Sequence, residues 1–282
     1  MIDKLELMST SINAEIKELT LAHGQRAYRY ETWIDLRETV AGLPAILFFN
    51  HRPTGIHKLV LVEVAKLGWS FTKGVVERVF PALDSVKISR IDFCADFYGV
   101  SVLSLAENLS LPGTHGFKVY KTHKGFSYYL QSSARRSVLV YDKVRSEKRL
   151  GKSNIDLEIT RFEIQLRGKA IPLRDFRELG QYSEIDVLGP LEIRKIVATF
   201  QPSKPSLFLA AKGFRHVVSK YGMDGALKLF PSAHRAFLKR KFLGPALRTE
   251  LASIRNELRR GTSEWLADRI RFPRLPERSR RT

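Results

Sequence analysis

Three segments of this chain alternate so regularly that they can only be read as strands with one apolar and one reactive face. They are Ser89-Arg90-Ile91-Asp92-Phe93-Cys94-Ala95-Asp96-Phe97, Val138-Leu139-Val140-Tyr141-Asp142-Lys143 and Arg161-Phe162-Glu163-Ile164-Gln165-Leu166-Arg167. Strand side chains point to opposite faces with period two. Arg90, Asp92, Cys94 and Asp96 therefore share a face, with Ile91, Phe93, Ala95 and Phe97 on the other. Arg161, Glu163, Gln165 and Arg167 oppose Phe162, Ile164 and Leu166 in the same way, and Tyr141 sits with Lys143. One side of such a sheet packs a core, and the other carries carboxylates, a phenol and cations.

That polar face suits metal-assisted phosphoryl chemistry with a tyrosine nucleophile. Mg²⁺ takes oxygen ligands, commonly one or two carboxylates with several waters. Asp92 with Glu163 would suffice, and Asp96 stands as a third ligand or a supporting partner. The same acids could instead pair with Arg90, Arg161 or Lys143 across strands. A tyrosine in a strand is ordinarily a packing residue. As a nucleophile, Tyr141 would need a nearby base or cation, and Lys143, Arg90, Arg161 and Arg167 supply charge for a pentacoordinate transition state. Sequence patterns for a phosphate-binding glycine loop, a dinucleotide site, a zinc site or a His-x-His pair are absent.

Along the chain, Ala45–Phe49 and Lys58–Val64 flank a Pro/Gly turn and read as a hairpin. Residues 71–83 have helical spacing with Val75, Val76, Val79 and Phe80 on one face. A short helix is expected near Leu103–Leu109. Phe117–Lys121, Phe126–Leu130 and Val138–Asp142 read as successive antiparallel strands, and 155–167 as a long strand with a bulge near Thr160. Past Pro202-Ser203-Lys204-Pro205 the pattern turns helical, in stretches that include Ala233–Phe242, Pro245–Arg260 and Thr262–Phe272. The expected fold is α+β, a mainly antiparallel sheet with flanking helices. We expect a domain over 1–200, a basic helical region over 201–272 for DNA binding or assembly, and a disordered basic tail over 273–282. The first 40 residues carry no clear period.

The net charge of +19 marks a surface that attracts polyanions. It is uneven: residues 201–282 hold 19 Lys and Arg against 6 Asp and Glu, and residues 1–200 hold 29 against 23. Lys239-Arg240-Lys241 suits phosphate contacts. The run Tyr120, Lys121, Lys124, Phe126, Tyr128, Tyr129, Arg135 and Arg136 interleaves rings with cations, as a groove for unpaired bases would, or as an aromatic strand pair with exposed lysines would. A single cysteine, Cys94, rules out an intrachain disulfide and suits a reducing cytoplasm. Neither a signal peptide nor a membrane span is expected.

The ordered set of these motifs resembles the trans-acting plasmid rolling-circle replication initiators and the filamentous-phage replication initiation factors. The resemblance rests on Ile88–Asp96, on Tyr129-Leu130-Gln131-Ser132 leading to Val140-Tyr141-Asp142-Lys143, and on Arg161-Phe162-Glu163-Ile164-Gln165-Leu166-Arg167-Gly168. It covers roughly residues 40 to 200. It implies an enzyme that cuts one DNA strand at an origin by tyrosine attack, leaving a 5′-phosphotyrosine and a free 3′-hydroxyl primer. It further implies dependence on Mg²⁺ or Mn²⁺, a homodimer, and host helicase and polymerase as partners. Tyr141 looks like the nucleophile with Lys143 beside it, Arg161 belongs to the same motif, and Asp92 and Glu163 look like metal ligands. The chain departs from the family at Gln131, where glycine is common, and at Leu139, where a basic residue is. Two alternatives stay open: a conjugative relaxase of the same chemistry, and a non-catalytic DNA-binding regulator.

Overall fold

The computed structural model describes residues 1–62, 64–102, 105, 109–110, 116–122, 125–133, 135–144, 159–189, 192–196, 213–214, 216–217, 221, 225–246 and 248–269. Most of the helix expected near 103–109, the start of the strand expected at 155, Lys124 and the tail from 273 lie outside the described residues. The fold is α+β, as its alternating segments require.

Two compact units divide the chain, and neither is a continuous stretch. One takes Met1–Ile91, Ile171–Ile185 and Arg259–Thr282, and the other Asp92–Ala170 and Asp186–Leu258. The division differs from the boundary expected near residue 200, because the end of the last helix packs into the N-terminal unit.

In the first unit the strand order is β2 (Gln25–Arg26), β3 (Tyr30–Asp35), β4 (Ala45–His51), β5 (His57–Leu61), β1 (Ile2–Ser9), then the start of β6 (Lys87–Tyr98). The hairpin read from sequence is β4–β5, antiparallel with Leu47 opposite Leu59. Asn50 and Gly55 take positive φ, 51° and 67°, at its turn. Alternation puts Leu5, Leu7, Leu47, Leu59 and Leu61 in the core. Helix α1 (Ala14–His23) buries Ile16 and Thr20. After α2 (Val64–Leu67), helix α3 (Trp69–Val79) buries the expected Val75, Val76 and Val79, and Phe80 follows them into the core.

The N-cap of α3 is Gly68 at φ 71°, which has no side chain to cap with. Asp268 does the work instead: its carboxylate accepts from the Ser70 backbone N–H at 2.9 Å and from the Ser70 hydroxyl. A Cβ at Gly68 would lie 2.6 Å from that carboxylate. Three residues earlier, the buried Trp265 donates its indole N–H to the Val64 carbonyl at 2.8 Å and lies 5.9 Å from the Trp69 ring.

In the second unit the order runs from the end of β6 to β11 (Ile159–Arg167), β10 (Arg136–Asp142), β9 (Gly125–Ser133) and β8 (Gly116–Thr122). The pairs β11–β10, β10–β9 and β9–β8 are antiparallel. A small antiparallel sheet joins β7 (Leu109–Ser110), β12 (Glu192–Ile196) and β13 (Leu243–Ala246). Val138, Val140, Phe162, Ile164, Leu166 and Tyr128 are all buried. Helix α4 (Ser232–Phe242) carries the expected 233–242 segment.

The two helices expected over 245–260 and 262–272 are one, α5 (Arg248–Leu266), which runs through Gly261. Gly261 breaks nothing, because it is a packing position: a Cβ there would sit 2.7 Å from the Met1 nitrogen. Pro245 lies in β13 instead. Among the described residues no helix is long and apolar enough to cross a membrane.

Trp265→Ala should lower unfolding free energy by about 3–5 kcal/mol in urea denaturation, as an emptied aromatic site does. Trp265→Phe should cost less, chiefly the bond to Val64, and Asp268→Ala about 1 kcal/mol from the lost cap.

Candidate active site

The register of β10 against β11 assembles the reactive face. Tyr141 lies opposite Arg161, Leu139 opposite Glu163 and Ser137 opposite Gln165, while Val138 and Val140 oppose Ile164 and Phe162 on the apolar side. Directly opposed Cβ atoms are about 5 Å apart, so two polar pairs from distant sequence, and Glu163 between them, become neighbours in one patch.

Within it, Tyr141 is half-buried, and its hydroxyl donates to Glu163 Oε2 over a long 3.5 Å. The other oxygen, Oε1, accepts from the Gln165 amide at 2.7 Å, and Gln165 Oε1 accepts from the Ser137 hydroxyl at 3.2 Å. Ser137, Glu163 and Gln165 are all buried. β11 departs from the expectation of an open polar face: every residue from Ile159 to Leu166 is buried. Its polar side chains are sustained by mutual hydrogen bonds in place of water.

Asp96 plays a different part from the metal ligand expected of it. Its carboxylate takes Arg161 Nε on Oδ1 at 2.7 Å and Arg161 Nη2 on Oδ2 at 3.0 Å, and it takes Lys143 Nζ on Oδ2 at 2.7 Å. Burial alone would push this carboxyl up, but the Arg161 and Lys143 bonds and charges outweigh it and hold the group down at about 2. Both oxygens are thus committed to cations, and the two cations flanking Tyr141 are fixed in place by one anchor. Thr160, at the start of the same strand, donates its hydroxyl to the Val100 carbonyl.

Asp92 is buried at 1% exposure on the same strand as Asp96. No group of three or more His, Cys, Asp or Glu side chains placed to hold a metal exists among the described residues. With Asp96 bound to Arg161 and Lys143, these residues do not make a three-carboxylate centre. Asp92 lies on β6, the strand next to β11 in the sheet, and both Glu163 oxygens accept hydrogen bonds.

The residues expected to touch DNA divide. Arg90 belongs to the first unit, where it lies 3.6 Å from Glu6, a buried carboxylate also paired with Lys58 at 2.6 Å and Lys4 at 3.3 Å. Burial would raise the Glu6 carboxyl, yet Lys58, Lys4 and Arg90 together lower it. Arg135 and Arg167 are exposed, and the Arg167 backbone N–H donates to the Arg135 carbonyl at 2.7 Å. Arg136 is a packing residue: its guanidinium fills the space where a Gly189 side chain would go, and burial lowers its pKa against the opposing pull of Asp186. Lys239, Arg240 and Lys241 lie on α4, but their side chains fall outside the described residues.

Sequence reading placed Gln165 on this face without a role and missed Ser137. Alternation with Tyr141 was the available signal for Ser137, and only the register joins it to Gln165. The chain matches no protein-family model, and no curated protein matches it.

Asp96→Asn should cost about 2 kcal/mol at pH 7, judged from a carboxyl held nearly two units below its ordinary value. Because the folded pKa is depressed, this contribution is complete above about pH 4 and is lost as pH falls toward 2. Urea denaturation of wild type and variant at pH 7, 4 and 2 should therefore show their stabilities converging only at the lowest pH.

Proposed function

We propose that this chain initiates rolling-circle DNA replication for a plasmid, phage or related mobile element, by nicking one strand with Tyr141. The observation that carries this reading is the pairing of Tyr141 with Arg161 across β10 and β11, with Glu163 3.5 Å from the phenol and Lys143 tied to the same anchor as Arg161. A tyrosine in a purely structural role has no need of a carboxylate and two positioned cations. The net charge of +19 and the resemblance of the three motifs point the same way.

In this reading the Tyr141 oxygen, oriented by its bond to Glu163, attacks the scissile phosphorus while its proton passes to water. A P–O(Tyr) bond forms, and the P–O3′ bond breaks with its electron pair staying on the 3′ oxygen, which takes a proton from water. One phosphodiester replaces another, so the bond energy is retained for later strand closure. Arg161 and Lys143 stabilise the extra negative charge on the phosphorane oxygens. Asp96 holds both cations in position before substrate arrives, so little reorganisation remains at the moment of reaction. Asp92 and Glu163 would hold Mg²⁺ or Mn²⁺, which when bound would polarise the scissile phosphate. Origin DNA is the partner this role requires; host helicase and polymerase and a second copy of the chain are those the resemblance implies, and a cytoplasmic location accompanies it.

Wild type and Tyr141→Phe should be incubated with labelled single-stranded origin oligonucleotides in Mg²⁺, Mn²⁺ or EDTA and resolved on a denaturing gel. The expected result is a metal-dependent covalent protein–DNA adduct that is absent from the variant, with DNA binding unchanged. Binding without adduct across oligonucleotides spanning the origin would favour the regulator, and loss of binding in Tyr141→Phe would assign Tyr141 a structural role.

A further inference from the structure

The register extends the reactive face beyond β10 to the edge of the sheet. Ser127 of β9 lies opposite Tyr141, Tyr129 opposite Leu139 and Gln131 opposite Ser137. On β8, Tyr120 lies opposite Ser127, Lys118 opposite Tyr129 and Gly116 opposite Gln131. Two rows of described side chains therefore cross the same face: Arg161-Tyr141-Ser127 and Glu163-Leu139-Tyr129. The intervening positions Tyr128, Val138 and Val140 take the other face, and Tyr128, read from sequence as a stacking candidate, is 1% exposed in the core.

Burial falls along these rows. Arg161, Glu163 and Gln165 on β11 are buried, whereas Tyr141 and Leu139 on β10 and Ser127 and Tyr129 on β9 are partly exposed. The face opens away from β11, toward Tyr129. Tyr129 is the diagonal neighbour of Tyr141, one strand over and two residues along, at about 7–8 Å.

We propose that the β9 side of this face is a track for single-stranded DNA, with Tyr129 stacking a base next to the scissile phosphate. The proposal rests on the nicking reading for its direction, and on register and charge for its occupant. An aromatic face stacks any base, and a chain of net charge +19 favours a polyanion over a protein surface of mixed charge. An unpaired strand fits better than duplex, because a base must be free of its partner to lie on Tyr129. Leu139, between Tyr129 and Glu163, provides an apolar step on which a sugar or base edge can rest. The track also gives the single-strand requirement of the reaction a physical source: the reacting phosphate reaches Tyr141 only when its neighbouring base is unstacked.

The test uses the full chain in a Tyr141→Phe background, so that binding is read without cleavage, with a labelled 20-nucleotide single strand and the corresponding duplex. Tyr129→Ala should weaken single-strand binding about 5- to 100-fold, which is the range a lost base–ring stack produces, and leave duplex binding within twofold. Tyr129→Phe should restore it. Single-strand affinity within twofold of the parent for Tyr129→Ala, failure of Tyr129→Phe to restore binding, or an equal loss on duplex would each overturn the track. If Tyr129→Ala unfolds by circular dichroism, Tyr129→Leu replaces it: Leu keeps the bulk without a ring, and binding equal to that of Tyr129→Phe would overturn the proposal. The two readings fail separately. A wild type that forms no adduct but has Tyr129-dependent single-strand binding loses the nicking reading and keeps the track, and a wild type that nicks with Tyr129 indifferent loses only the track.

Discussion

The antiparallel register of β10 against β11 is the constraint on which the rest of the second unit depends. Val138, Val140, Phe162, Ile164 and Leu166 must all face the core, and a slip of one residue would turn one strand's members outward. The same slip would send that strand's polar residues, Tyr141 on β10 or Arg161 and Glu163 on β11, into the core. The hydrophobic side thus selects the alignment, and the reactive side inherits it. Tyr141 meets Arg161 because Val140 meets Phe162.

Burying charge on that face has a cost that shapes its details. A carboxylate withdrawn from water must be surrounded by donors. Asp96 receives Arg161 and Lys143, and Glu163 receives Gln165 and the Tyr141 hydroxyl. Glu6, in the other unit, gathers Lys4, Lys58 and Arg90. Neighbouring positions of β6 consequently diverge: Arg90 serves Glu6, and Asp96 serves the cations beside Tyr141. Desolvation makes each hub rigid, which suits a site whose chemistry relies on charges already in place.

Much of this was legible from residue order. The strands at 45–49, 87–98 and 138–142, the hairpin, the face of α3 and the segment 233–242 emerge at close to their read bounds, since each pairs a strong period with turn residues. The first 40 residues did not, because β1, α1, β2 and β3 are short and change period every few residues. Gly261 looked like a helix end because a glycine is a poor helix former, and nothing local announces that the N-terminus packs against it. Whether Asp96 would be a third ligand or a supporting partner was not legible, for Asp92 and Asp96 are both acids on one face of one strand.

Periodicity within a strand is a local property, so the chain by itself determined which residues could share a face: Asp92 with Asp96, Tyr141 with Lys143, Arg161 with Glu163 and Gln165. Composition likewise determined the basic surface. Which face meets which, and at what offset, is set by long-range packing that no single segment encodes. Only the tertiary structure decided that Arg161 and Lys143 close on Asp96, that Ser137 and Gln165 hold Glu163 toward Tyr141, that Arg136 packs on Gly189, and that Trp265 completes the N-terminal core. These choices follow from satisfying buried polar groups and filling apolar space together, and both are satisfied only when distant strands align.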